Sequence, residues 1–568
     1  MKRIIRLVFL FTPVLVYSQN RYDIVIDEIM ADPTPSAGLP SNEWIELKNI
    51  SSGPVNLLNW RIGDASGQSG PMPGFTLQPD SFVIVCTGSA VAAMSVYGRT
   101  ISVTSFPSLD NDGDQLFIKA ANGLTIHAVG FTSSWYRNEL KKEGGWTLEM
   151  TDPTNPCGGA GNWKASTAGT GGTPGRKNET DAVNTDTSGP QLKRAYTTDS
   201  LTILLVFDEP LDSLSGAMLS NYSSDGGLIL RSAVPVPPLF SQVQLKLGSP
   251  MMQNSVYTIT AINITDCRGN AIGAGHTART GLSSDPAPGE WIINEILFNP
   301  RSNAYDYVEF YNKSNKILDA AGLYIANRNN SGVISSVKVL STVPYCIFPG
   351  EHIVVTEDAG SLSLNYLVKN PDQLLVIPSL PSFPDNDGTV LALNFQGAAT
   401  DEVKYKDDWH FKLLANTEGV SLERIDPSAR SQDASNWHSA ASTAGYGTPG
   451  YANSQYKQIN DVQATVHVSP KLFSPDNDGR DDIVSLQYAV TEPGYIANVT
   501  IYDAAGSVVR NLVRNGTLGL NGYWNWDGLD ERGLQLPVGV YVLFTEFFNL
   551  RGKKKQFKNS VVLARKLN

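Results

Sequence analysis

The chain is poor in the residues from which active centres are usually assembled. It has 4 cysteines and 6 histidines in 568 residues. No CxxC, H-x-H or H-x-x-x-H pair occurs, so a zinc site has no ligand set to draw on. G-x-S-x-G, H-E-x-x-H and the P-loop are also missing, which removes the common nucleophile, zinc-hydrolase and nucleotide signatures. Positive charge is in deficit: 44 Lys and Arg stand against 55 Asp and Glu, a formal net charge of −11. That balance disfavours nucleic-acid binding, which needs a basic field. Long stretches of helical apolar spacing are absent, and no later segment is apolar enough for a membrane helix.

The one marked apolar run, Leu7 to Tyr17, follows Lys2, Arg3 and Arg6 and precedes Ser18. It reads as a signal peptide over residues 1–18, cut after Ser18. No cysteine follows the cut, so a bacterial lipid anchor is not expected. Removing the segment takes three basic residues and no acid, which moves the formal charge from −11 to −14. Export to the cell surface or the medium is the expectation.

Turn chemistry is abundant, with 50 glycines and 33 prolines among short alternating segments. The strongest feature is a duplication. IDEIMADP (Ile26 to Pro33) and EWIELKN (Glu43 to Asn49) return as INEILFNP (Ile293 to Pro300) and DYVEFYN (Asp306 to Asn312). PSLDNDG (Pro107 to Gly113) returns as SFPDNDG (Ser382 to Gly388), and LEMTDP (Leu148 to Pro153) as LERIDP (Leu422 to Pro427). Asn162-Trp163 answers Asn436-Trp437, and both copies close on TPG, at Thr173 to Gly175 and Thr448 to Gly450. In the first copy DIVIDEI, EWIELKN, SFVIVCTG, DQLFIKA and TIHAVGF alternate with period two, which predicts strands of a sandwich or barrel. The domain plan is a signal (1–18), a first repeat (19–178), an intervening domain (179–285), a second repeat (286–455) and a C-terminal domain (456–568). The predicted fold class is all-β: tandem Ig-like sandwiches in an extended multi-domain chain.

The repeat resembles the lamin-tail domain, through its I-[ND]-E-I opening, its E-[WF]-[IV]-E-L-x-N strand, LLNWRIGD (Leu57 to Asp64) and the late N-W and T-P-G blocks. The intervening domain resembles bacterial Ig-like modules of surface proteins, through FDEPLD (Phe207 to Asp212) and the D-x-x-G-N of Asp266, Gly269 and Asn270. FSPDNDGRDD (Phe473 to Asp482) resembles the opening of C-terminal modules in gliding and surface proteins of Bacteroidetes. WNWDGLDERGLQLPVGVYV (Trp524 to Val542) resembles the Ig-like module of the flagellar hook-capping protein. These resemblances imply Ig-like folds, no known chemistry for the repeat, and a terminal module used for type IX secretion or surface attachment.

Calcium is the one cofactor with candidate ligands, and none is required. Asp476, Asp478 and Asp482 crowd one loop, while Asp110, Asp112 and Asp114, and Asp385 and Asp387, alternate around Asn-Asp-Gly turns. No loop carries an EF-hand's closing Glu, and Asn-Asp-Gly is strong turn chemistry by itself. The pair Glu28 and Glu46 recurs as Glu295 and Glu309; hydrogen bonding to backbone donors explains it better than acid–base work. The histidines are expected at surfaces or strand ends. Among the cysteines, Cys157 has two candidate partners, Cys86 within its own unit and Cys267 across a domain boundary, and free thiols are the third reading. No catalytic residue is assigned. The expected role is a non-enzymatic adhesion or scaffold protein whose partners are other surface proteins, extracellular polymers and, through its C-terminal module, secretion machinery. The rivals are an accessory subunit of a secreted nuclease or phosphatase, and a cryptic hydrolase.

Overall fold

The computed structural model describes residues 19–412, 414, 416–456, 464–491, 495–549 and 552–565. The predicted signal segment lies outside them. The chain divides into two compact units, Met1–Asp407 with Pro449–Tyr451, and Asp408–Thr448 with Ala452–Asn568. Both are built from strands, as the alternation predicts. Helix is confined to short pieces, of which Val91–Met94, Ser213–Ala217 and Ala359–Asn365 are the α-helices among the described residues.

The first repeat is a sandwich. Its larger sheet runs Thr100–Ser102, Phe82–Cys86, Trp44–Asn49, Ile24–Met30, Leu148–Met150, Trp163–Ala165 in spatial order. A second sheet pairs Arg61–Gly63 with Gly113–Lys119 and the latter with Thr125–Thr132. Between the sheets lie Ile26, Ile29, Ile45, Leu47, Trp60, Ile62, Leu116 and Ile118, all buried. Each such side chain contributes about 1.5–3 kcal/mol of apolar transfer. Ile24–Met30 is buried at all seven positions, so its outer face is covered too. There Met30, Trp44, Ile84 and Cys86 pack under the Val91–Met94 helix. Because side chains alternate across a strand, Glu28 and Glu46 share that covered outer face with Met30 and Trp44.

The second repeat keeps the plan. In the first unit its strands run Leu374–Val376, His352–Thr356, Tyr307–Asn312, Trp291–Leu297, with the last three paired antiparallel. Tyr324–Arg328 answers Arg61–Gly63 and pairs with Asp387–Leu393, as its counterpart pairs with Gly113–Lys119. In the second unit the hairpin Leu422–Arg424/Trp437–Ser439 answers Leu148–Met150/Trp163–Ala165.

The intervening domain has a four-stranded sheet (Leu192–Asp199, Thr202–Phe207, Gln242–Leu247, Leu230–Pro235) facing a three-stranded one (Tyr222–Ser224, Tyr257–Ala261, Thr277–Thr280). Its two signature motifs have local causes. Asp212 caps the helix Ser213–Ala217, accepting from Leu214 N and Ser215 N. Asp266 holds its own turn, accepting from Arg268 N, Asn270 N and Asn270 Nδ2. Cys157 and Cys267 are bonded, with Cα atoms 6.1 Å apart; Cys86 and Cys346 are free thiols. The bridge therefore ties the first repeat to the intervening domain.

The C-terminal domain sets Ala464–Ser469, Val484–Val490 and Asn521–Trp526 in one sheet. A five-stranded sheet faces them, in which Tyr495–Tyr502 and Val508–Thr517 form the hairpin around Ala505-Gly506. Phe473, Trp526, Tyr541 and Leu543 fill the space between.

Candidate functional site

Three glutamates stand on one rung of the first repeat's large sheet. Glu28 is the direct cross-strand partner of Glu46 on one side and of Glu149 on the other. All three are fully buried. Burying a carboxylate is costly unless donors meet it, and the donors come from the TPG segment that closes the repeat. Thr173 N donates to Glu28 Oε1 at 2.7 Å, and Thr173 Oγ1 to Glu149 Oε1 at 3.0 Å. Gly175 N donates to Glu46 Oε2, and Thr180 N to Glu149 Oε2 at 2.9 Å. Asn178 Nδ2 reaches the carbonyls of Asp27 and Met150, both at 3.0 Å. Such bonds contribute about 0.5–1.5 kcal/mol each, and more where the carboxylate is ionised. The segment from Thr173 to Thr180 is thus a strap, buckled to the sheet by the glutamate rung.

The TPG sequence follows from this geometry. Thr supplies a hydroxyl to Glu149 in addition to its backbone N–H. Gly175 has φ +78°, and a Cβ there would lie 2.4 Å from the Tyr97 carbonyl oxygen. Only glycine meets both conditions. The second repeat buckles its strap with the same parts. Gly450 N donates to Glu309 Oε2 at 2.7 Å in the first unit. In the second unit Thr448 Oγ1 donates to Glu423 Oε1, Gln455 N to Glu423 Oε2, and Asn453 Nδ2 to the Arg424 carbonyl.

Burial dominates the electrostatics of the first rung. It pushes Glu28 up to about 8 against the pull of Thr147 and Thr173, and Asp27 up to about 7. Glu46 is held well above the ordinary carboxylate value, first by burial and then by the negative charge of Glu28. His127 departs from the expected surface position: it is fully buried. Its Nδ1 accepts from Ile26 N at 2.9 Å, and its Nε2 lies 3.2 Å from the Pro156 carbonyl. Burial lowers its pKa to about 4, so it is a neutral structural acceptor. The second repeat gives this acceptor role to Asp401, whose Oδ2 takes Ile293 N at 2.9 Å.

Among the described residues, two acidic trios bring one ligand atom each within 4.8 Å of one another. One is Asp476, Asp478 and Asp482, a candidate calcium set of the sequence. Its oxygens already serve the loop. Asp482 accepts from Asp476 N, Asn477 N and Gly479 N, Asp476 from Asp478 N, and Asp478 from Arg480 N. The other is Asp186, Glu209 and Asp266, which sequence reasoning missed. Glu209 belongs to FDEPLD and Asp266 to D-x-x-G-N, so both were in view as fold signatures, but Asp186 joins them from the linker. Burial and the charges of Asp266, Asp186 and Asp208 raise Glu209 to about 8. The repeat loops assemble no such trio among the described residues. The Asp110 carbonyl accepts from Gly113 N in a turn, Asp112 from Ser133 N, and Asp114 Oδ1 from Gln115 N. Asp387 opens a strand opposite Lys406, and Asp385 precedes it.

A cleft of about 770 Å³ in the first unit is lined by Lys193, Arg194, Arg279 and Lys369 with Glu351 and Asp372. Arg279 pairs with Glu351 and lies over the Phe348 ring. Histidine is absent from its lining, and its one thiol, Cys346, is pushed well up by burial and by the charges of Asp319 and Glu351.

Residues 18–133 match the Lamin Tail Domain family. No curated protein matches the chain. Among solved structures, CopC from Methylosinus trichosporium OB3b is 17% identical, with 18% of this chain and 97% of that one covered, at a TM-score of 0.14. The S-layer protein SbsC is 12% identical over 66% of this chain and 54% of its own, at 0.16, so the chain spans about half of that protein. A Ca2+-stabilized adhesin with which an Antarctic bacterium binds ice is 9% identical over 97% of this chain and 100% of its own, at 0.15.

Proposed function

We propose that the chain is a non-enzymatic, exported scaffold or adhesion protein, with its C-terminal domain serving secretion or surface attachment. The observation that carries this reading is the use made of buried reactive groups. Glu28, Glu46, Glu149 and His127 are turned inward onto backbone donors or a carbonyl, where they lock strands and straps. Fully buried and committed through one oxygen or more to the strap, these carboxylates are closed off from a substrate. The Cys157–Cys267 bridge adds a covalent tie between successive sandwiches, which suits a spacer that must keep its geometry outside the cell. Calcium at Asp476, Asp478 and Asp482 would stiffen the opening loop of the last domain.

Surface proteolysis of intact cells tests the placement. The full chain should be cleaved from outside, and deletion of residues 456–568 should leave it protected within the cell. Unchanged exposure on deletion removes the secretion role. Calcium binding has its own test: adding the ion should raise the unfolding temperature of the chain by a few degrees, roughly the shift that about 1 kcal/mol gives. That gain should vanish in Asp482→Asn. Turnover of nucleic acid, phosphoester or polysaccharide by the purified chain, lost in Glu46→Gln, would overturn the non-enzymatic reading.

A further inference from the structure

Two residues beside the Glu28–Glu46 pair differ between the copies. Asp27 stands where the second repeat has Asn294, and Trp44 where it has Tyr307. In the second repeat both are donors to the pair. Asn294 Nδ2 donates to Glu309 Oε1 at 2.8 Å, and Tyr307 OH to Glu295 Oε1 at 2.6 Å. In the first repeat Asp27 brings a further acceptor, and Trp44 Nε1 makes no bond. Three buried carboxylate oxygens are left without a partner: Asp27 Oδ1, Glu28 Oε2 and Glu46 Oε1.

The other oxygen of each glutamate is already engaged. Glu28 Oε1 takes Thr147 Oγ1 and Thr173 N, and Glu46 Oε2 takes Gly175 N. The two residues face each other across antiparallel strands, where Cβ atoms lie about 5 Å apart. The charged groups acting on this face are Asp27 on the same strand, Glu149 on the neighbouring one, Asp80 and Asp181 from flanking segments, and Lys48. Lys48 is the one cation of this set, and its Nζ sits 3.4 Å from Asp80 Oδ1. Two ionised carboxylates on so dry a face repel strongly. A single proton between them would give one oxygen a donor and the other an acceptor's role.

We infer that Glu28 and Glu46 share one proton, bound between Glu28 Oε2 and Glu46 Oε1, and that this proton keeps the first repeat's strap closed. Rising pH sends the proton to solvent as the strap opens and the two carboxylates become hydrated. The second repeat, with donors built in by Asn294 and Tyr307, does not respond. The first repeat is thus a pH-sensitive buckle and the second a fixed one. This goes beyond the scaffold reading and does not depend on where the protein is placed.

The sign follows from where the proton is held more tightly. Burial raises Glu28 from 4.5 to about 8 in the closed form. Closure is therefore fully supported below about pH 4.5 and weakens tenfold per pH unit up to about 8, then levels off.

Hydrogen exchange on the full oxidised chain, between pH 6.5 and 8.5 and corrected for the intrinsic rate at each pH, tests this. The reporter is the peptide around Thr173 to Gly175, and the internal control is that around Thr448 to Gly450. Protection of the first should fall about tenfold or more across the range while the second stays level. Glu28→Gln, which supplies a permanent donor to Glu46, should abolish the fall above about pH 7, the part below it being shared with Asp27; Asp27→Asn with Trp44→Tyr should abolish it throughout. Level protection of the first strap in the native chain would overturn the proposal, as would an unchanged slope in the variants. Protection that follows calcium and not pH would overturn it too, since a cation would then hold the pair. Infrared spectroscopy of the native chain guards against misfolded variants. A protonated-carboxyl band should persist at pH 7 and lose intensity in Glu28→Gln, since Glu209, also raised to about 8, gives a band of its own; absence of the band, or no loss in the variant, refutes the shared proton.

Discussion

Single residues carry the clearest consequences of this architecture. His127 is buried and uncharged, bonded to Ile26 N. Its pKa falls from 6.5 to about 4 on folding, so the unfolded chain binds its proton first. His127's own contribution should then be lost as pH falls from about 6.5 to 4, by up to about 1.4 kcal/mol per unit, against the gain that Glu28 and Asp27 make over part of the same range. Between pH 7 and pH 5, urea unfolding should therefore show His127→Gln, whose amide oxygen can still accept from Ile26, gaining stability relative to the native chain. The same pH change in both would mean that His127 does not contribute to it. The sequence offered no sign of this role. In TIHAVGF the histidine sits on an alternating strand, and which face is buried depends on pairing with Gly113–Lys119 and packing under Ile24–Met30.

At the scale of elements, the strap is the informative one. TPG was legible as a repeat marker but not as a buckle, because its partners are more than a hundred residues away in Glu28 and Glu46. The strands themselves were readable from local alternation: Ile24–Met30, Trp44–Asn49, Phe82–Cys86, Gly113–Lys119 and Thr125–Thr132 lie within or across the predicted segments. Register is what placed three glutamates on one rung, and register is set by bulges such as the one between Ile26 and Glu28. The same limit hid the trio of Asp186, Glu209 and Asp266, which three separate segments assemble. The strap's tight fit gives a sharp expectation. Gly175→Ala forces an L-residue into φ +78° and a Cβ against the Tyr97 carbonyl. It should destabilise the first repeat by about 2 kcal/mol or more, read by chemical denaturation. A cost below about 0.5 kcal/mol would show that the strap yields easily.

For the whole molecule, the prominent feature is covalent. The bridge between Cys157 and Cys267 encloses a sequence separation of 110 residues. A loop of that size restricts the unfolded chain enough to be worth about 4–5 kcal/mol in the entropic account. Non-reducing peptide mapping should recover the Cys157–Cys267 pair, with Cys86 and Cys346 alkylated as free thiols once the chain is unfolded. Reduction should lower the unfolding midpoint of the first unit by several degrees. Cys86 paired with Cys157 would contradict the arrangement. Sequence left both pairings open because the choice depends on how two domains meet, which no local pattern encodes.

The account rests on buried carboxylates acting as clasps for the straps. A double-mutant cycle measures that most directly, with Glu149→Gln and Thr173→Val in the first repeat and Glu423→Gln and Thr448→Val in the second. Each pair is joined by a side-chain hydrogen bond, at 3.0 Å and 2.8 Å. Denaturant unfolding should give a coupling energy of about 1–2 kcal/mol for both pairs. Additive effects in both repeats, with no coupling, would contradict it.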